Sequence, residues 1–207
     1  MSNSHHTVDG SSKLDAHINH HSQMNAPKNK YILKRSKSSI WIKADTNTIW
    51  HHITQVDVHR ATCPWYFKCL SIPKPMAAQV VKEGVGGYRV AYFDNGCRFH
   101  QEITAWDKGK AYDFCFNATP GFRVGYLFDL SKGPFIIQRG AYRLVAQAQG
   151  TWLELHSTYK VSRMINYGMG LLISYIMAKY SQHLLKSIQN NIHHELKNHF
   201  LHPNQSI

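Results

Sequence analysis

What most limits how this chain folds is a change of period near residue 162. From Tyr88 to Val161, short stretches rich in β-branched and aromatic residues are separated by tight-turn signals. Asp94-Asn95-Gly96 is the sharpest, because Asn-Gly supplies the positive φ that a two-residue hairpin turn requires. Asp107-Lys108-Gly109-Lys110 and Gln149-Gly150 mark two more turns. The spacing predicts strands over 88–93, 98–106, 111–117, 141–148 and 151–161, which consecutive turns assemble into an antiparallel sheet. Beyond the change, Met169, Leu172, Ile173, Ile176, Tyr180, Leu184, Ile188, Ile192 and Leu196 recur at helical spacing. One helix is therefore expected from Ser162 or Asn166 to Asn198. At ~1.5 Å per residue it is about 50 Å long, enough to cross a whole sheet.

The segment before the meander is shorter and mixed. Residues 39–43 read as a strand. Asp45 is a good N-cap for a helix over 46–56, with Ile49, Ile53 and Val56 at i, i+4 and i+7. A second short helix or turn spans 58–70, broken by Pro64, and an extended stretch follows over 76–82. Residues 118–140 interrupt the meander, yet Phe122, Val124, Tyr126, Leu127, Phe128, Leu130, Phe135, Ile136 and Ile137 are too many apolar groups for a solvated loop. They form either a lid or extended hairpin, with Pro120-Gly121 and Gly133-Pro134 as turns, or strands continued through a bulge.

Of 207 residues, 43% are apolar and 12% aromatic, which suits one domain of about 150 residues plus a tail and excludes wholesale disorder. No period recurs, so repeat architectures are excluded. The expected division is a polar, disordered tail over 1–37 and a folded domain over 38–200. The tail carries His5, His6, His17, His20 and His21, read as low-complexity sequence, and no metal site is expected. Lys plus Arg number 24 against 12 Asp plus Glu, a formal charge of +12 that favours anionic surfaces. Lys28, Lys30, Lys34, Arg35 and Lys37 form a basic segment suited to weak contact with an anionic membrane surface. No recognised nucleic-acid module accompanies them, so no specific nucleic acid is predicted. Cys63, Cys69, Cys97 and Cys115 form no Cys-x-x-Cys pair and read as free thiols. The opening residues lack the apolar core of a secretory signal, and the longest apolar stretch, around 169–178, is too short to span a bilayer; a cytoplasmic protein is the expectation.

The order of elements resembles the START-like or SRPBCC (helix-grip) superfamily, and within it the polyketide cyclase/dehydrase-like branch. The likeness is carried by Ile40-Trp41-Ile42-Lys43-Ala44-Asp45 with Ile49-Trp50, by Glu83-Gly84-Val85-Gly86-Gly87-Tyr88-Arg89, by Glu102-Ile103-Thr104-Ala105-Trp106-Asp107, and by Arg139-Gly140-Ala141-Tyr142-Arg143-Leu144. Lys108 stands where the family's hairpin usually has Pro. The resemblance implies an α+β helix-grip fold, a curved antiparallel sheet wrapped around a long C-terminal helix. It also implies an interior space that binds or carries a hydrophobic small molecule, lipid or polyketide-like, with no cofactor.

Strand parity then selects the lining. Leu153, Leu155, Ser157, Tyr159 and Val161 share one face of the last strand and are expected to face the helix. Tyr142 and Leu144, Tyr112, Phe114 and Phe116, and Tyr88, Val90 and Tyr92 are expected to join them, with Met169, Leu172, Ile173 and Ile176 opposite. Trp65, Tyr66 and Phe67 sit near the expected mouth, either exposed as a recognition patch or buried to pin the short helix. A runner-up is enzymatic. Arg98, His100 and Glu102 share one strand face, with His100 and Glu102 about 7 Å apart by strand rise. Facing inward, they would form an acid/base pair with Arg98 stabilising an enolate, suited to the cyclisations and dehydrations of some superfamily members. The apolar opposite face, Cys97, Phe99, Ile103 and Ala105, argues that the charged face looks outward.

Overall fold

The computed structural model describes residues 30–58, 62–118, 120–124, 128–130 and 132–201. Its elements in chain order are β1 (Tyr31–Ile42), α1 (Thr46–Thr54), β2 (Gln55–Asp57), α2 (Trp65–Cys69), β3 (Pro75–Lys82), β4 (Tyr88–Phe93) and β5 (Arg98–Asp107). Then follow β6 (Ala111–Ala118), β7 (Arg123–Val124), β8 (Phe128–Asp129), β9 (Phe135–Gln147), β10 (Gly150–Ser162) and α3 (Arg163–Leu201). Eight strands form one curled antiparallel sheet in the order β1-β10-β9-β6-β5-β4-β3-β2, and β7 pairs with β8 in a separate small hairpin. This is the α+β helix grip expected from the element order.

Local chemistry accounts for the corners. Asp45 Oδ1 accepts from the backbone N–H of Asn47 at 2.8 Å and of Thr48 at 3.0 Å, capping α1. Gly96 takes φ 77° in the turn between β4 and β5, a conformation open to glycine at little cost. Lys110 N–H donates to Asp107 C=O at 3.0 Å and closes the next turn.

Several features differ from expectation. The first strand begins at Tyr31 rather than Ser39, because Tyr31–Ile42 pairs along its whole length with Ser162–Thr151 of β10. An edge strand can stay polar when one neighbour supplies its ladder, so Lys34, Arg35 and Lys37 belong to the sheet and not to a tail. Lys34 Nζ donates to Gly170 C=O at 2.9 Å, and Lys37 Nζ lies 2.8 Å from Glu154. Lys28 and the five tail histidines lie outside the described residues. The first helix ends at Thr54, and the three residues of β2 pair with β3. The third difference is a bulge between Ile103 and Ala105, which turns Ala105 outward and Trp106 onto Trp50, at 4.9 Å between ring centroids. Finally, β9 starts at Phe135, so Phe135, Ile136 and Ile137 are strand residues and only the preceding stretch holds the β7–β8 hairpin. Tyr126 and Leu127 lie outside the described residues.

The core divides into two groups. One packs Leu185, Ile188 and Ile192 of α3 against Ile49 and Ile53 of α1 and Ile42, Tyr112, Leu144 and Leu153 of the sheet. The other gathers Phe93, Phe99, Phe122, Leu130, Phe135, Tyr159 and Val161 around Ile173 and Met177. Polar contacts fix the C-terminal half of α3 as well: His52 Nε2 lies 2.8 Å from Glu195, and Gln189 Nε2 donates to Trp41 C=O at 2.8 Å.

The cap gives a direct test. Asp45→Ala is expected to lower stability by about 1 kcal/mol at neutral pH, measured by urea unfolding. The two hydrogen bonds and the Thr48 hydroxyl hold the Asp45 carboxyl below its ordinary value of 3.8. Its contribution is therefore complete above that pH and fades as pH falls through the folded value, so the gap between wild type and variant narrows in acid.

Candidate functional site

Between the N-terminal half of α3 and the concave face of the sheet lies a cavity of about 220 Å³. Met169, Leu172, Ile173, Ile176, Met177, Tyr180 and Leu184 face it from the helix. Across from them stand Phe114 and Phe116 of β6, Ile137, Gly140 and Tyr142 of β9, and Leu155 and Ser157 of β10. Ala91 and Phe93 of β4 and Phe99 of β5 extend that wall, and Phe122, Val124 and Leu130 of the β7–β8 region cover one end. Leu70, Ile72 and Pro73, after α2, also line it. Two lining residues are also exposed, Leu70 at 40% and Leu172 at 45%, and they mark the mouth between the α2–β3 segment and α3. The volume lies just below the usual span of small-molecule sites, which favours a slender or compact guest.

Gly140 shapes this wall by close approach. It pairs with Phe114, and a Cβ there would lie 2.5 Å from that ring. Edge-to-face contacts then stiffen the lining: Phe99 meets Phe122 at 4.7 Å and Phe116 at 5.3 Å.

The expected lining residues separate into three sets. Phe114, Phe116, Tyr142, Leu155, Met169, Leu172, Ile173 and Ile176 meet at the cavity. Tyr112, Leu144, Leu153 and Tyr159 face inward as parity requires but are consumed by packing. The Tyr112 hydroxyl donates to Ile53 C=O at 2.6 Å, and the Tyr159 hydroxyl to Ser174 Oγ at 3.3 Å. Phe67 is also buried, stacked on Tyr180 at 5.7 Å, and so pins α2, whereas Trp65 stands 76% exposed.

Tyr88 and Tyr92 are corrections. Tyr88 is exposed, and Tyr92 lies under the Arg98 guanidinium at 5.4 Å. The register explains why: Tyr88 is opposite Glu102, Val90 opposite His100 and Tyr92 opposite Arg98, so all six share the outer face. Val90 is buried there without lining the cavity. The same register corrects the acid/base proposal. Arg98, His100 and Glu102 are exposed on the convex side, out of reach of anything inside.

What parity and hydrophobicity overlooked is the opposite set on β4 and β5. Arg89 and Gln101 are direct cross-strand partners, only 4% and 3% exposed, and both line the cavity. Rings surround the guanidinium carbon, with centroids at 5.1 Å for Phe114, 5.5 Å for Tyr142 and 5.9 Å for Tyr112. Arg89 Nε and Gln101 Oε1 are buried without hydrogen-bond partners. Burial pushes the hydroxyls of Tyr112 and Tyr180 above the ordinary phenol range, so both stay protonated.

No family model and no curated protein matches the sequence. Solved structures do. A protein from Thermus thermophilus superposes with a TM-score of 0.52 at 16% identity, over 77% of this chain and 97% of its own. A protein from Arthrobacter aurescens gives 0.50 at 13% identity, over 77% and 86%. Ara h 8.0201 gives 0.49 at 14% identity, over 78% and 98%. The likeness is one of fold: the chain adopts the α+β helix-grip architecture expected from its order of elements.

Gly140→Ala is expected to cost about 1–3 kcal/mol in urea unfolding, because its methyl must displace the Phe114 ring. His100→Ala and Glu102→Ala, on the outer face, are expected to stay within about 0.5 kcal/mol of wild type.

Proposed function

We propose that this protein binds or carries a hydrophobic small molecule, lipid or polyketide-like, in the space between the N-terminal half of α3 and the sheet. The observation that carries this is the cavity itself. About 220 Å³ is enclosed mainly by Phe, Ile, Leu, Met and Val side chains, and it opens at Leu70 and Leu172. Burying an apolar guest there removes its surface from water at roughly 25 cal/mol per Å². The exposed positions of His100 and Glu102 leave the cyclase-type alternative without its acid and base, so binding is the reading favoured.

Among the described residues no helix is long and apolar enough to cross a membrane. Contact with an anionic membrane surface through the basic N-terminal segment stays a proposal in altered form. Lys34 and Lys37 are engaged by Gly170, Ser174 and Glu154, so within β1 that contact falls to the exposed Arg35.

The test uses N-phenylnaphthylamine, a neutral dye that fluoresces in apolar surroundings, with the full chain. The dye is expected to brighten on binding and to be displaced by decanol. Ile176→Trp, which fills the cavity from α3, is expected to weaken dye binding by about tenfold or more, roughly 1.4 kcal/mol, while circular dichroism stays that of wild type. Absence of dye binding by wild type, or unchanged affinity in the folded variant, would contradict the proposal.

A further inference from the structure

Arginine keeps its proton under all ordinary conditions, so Arg89 brings a full positive charge into the cavity wall. It is the one charged side chain there, and no carboxylate pairs with it among the described residues. A buried charge without a counter-ion is strongly disfavoured. The neighbouring phenols do not serve as anions, because burial holds Tyr112 and Tyr180 protonated. The aromatic rings attract the cation, and the Tyr142 and Tyr112 hydroxyls accept hydrogen bonds from it, yet Nε is left without an acceptor and no group nearby neutralises the charge. Directly across the strand pair, Gln101 presents a second unsatisfied polar atom to the same space.

We infer that the ligand is an amphiphile whose head is a single carboxylate, held by Arg89 and Gln101, and whose remainder is apolar. This rests on the reading of the cavity as a ligand site. The guanidinium edge is a fork of parallel N–H donors that matches the two oxygens of a carboxylate. Gln101 carries an amide donor and acceptor on one rotatable group and completes the polar end. One monovalent anion balances the one cation, whereas a phosphate dianion would leave uncompensated negative charge in an apolar wall. Past this pair most of the lining is hydrocarbon or aromatic ring, with the hydroxyls of Ser157 and Ser181 among it, so the rest of the guest is apolar.

Displacement of N-phenylnaphthylamine by decanoate and by decanol, which share a chain and differ in the head, separates the head from the tail. Wild type is expected to bind decanoate roughly ten- to a hundredfold more tightly than decanol. Arg89→Met replaces a buried cation with an apolar chain of similar length, a change that folded proteins tolerate well. This variant is expected to retain decanol and lose the preference for decanoate, with Arg89→Lys in between because it keeps charge without the fork. Equal affinity of wild type for the two compounds, or a preference that survives in Arg89→Met, would overturn the carboxylate assignment and leave the cavity reading standing. Failure of both compounds to displace the dye would overturn the assignment, and failure of the dye itself to bind would remove the cavity reading too. The comparison in wild type alone decides the matter if the variants do not fold.

Discussion

A long helix laid into a curved sheet cannot fill it evenly, and the rest of this molecule follows from where the contact is close. Over the C-terminal half of α3, Leu185, Ile188 and Ile192 are buried against α1 and the sheet, and His52 and Gln189 add polar ties between these elements. Over the N-terminal half the helix keeps an apolar face, but part of the space in front of it is unfilled. The opposing wall resists collapse because its rings brace one another edge to face, Phe93 against Phe99 at 5.3 Å and Phe114 against Phe116 at 5.3 Å. Rigidity at one end of the grip thus preserves volume at the other.

Within that volume the distribution of polarity is uneven. Most of the lining offers only dispersion and the exclusion of water, which would accept many guests of suitable width. Arg89 and Gln101 are different in kind: they sit side by side on β4 and β5 and carry polar atoms that nothing in the described chain satisfies. Such a pair would discriminate among guests, because leaving a buried charge unmatched costs more than a neutral contact gains.

Much of the architecture was legible because turns and periods are local signals. The hairpins at Asn95-Gly96 and Lys108-Gly109, the Asp45 cap and the helical stripe from Met169 onward all stand where spacing alone placed them. Parity also identified the inner faces of β6 and β10. The errors have physical causes. Parity within one strand gives Tyr88 and Tyr92 a common face but not which face it is; residues opposed across a hairpin share a face, and an outward Arg98 and Glu102 already require outward tyrosines. Arg89 and Gln101 look like solvent-facing residues in any one-strand reading, because charge and amide signal exposure unless register is imposed. The polar first half of β1 owes its conformation to β10, a partner more than a hundred residues away that no local pattern reveals. Nor does an unbroken apolar stripe on α3 announce where packing gives way to empty space.

Methyl chemical shifts of the full chain during titration with decanol bear most directly on this division of the helix. Perturbations are expected at Ile173, Ile176 and Met177, with Leu185, Ile188 and Ile192 unmoved. Perturbations centred on the second group, or none at either, would mean that the half-filled grip is not where a guest resides.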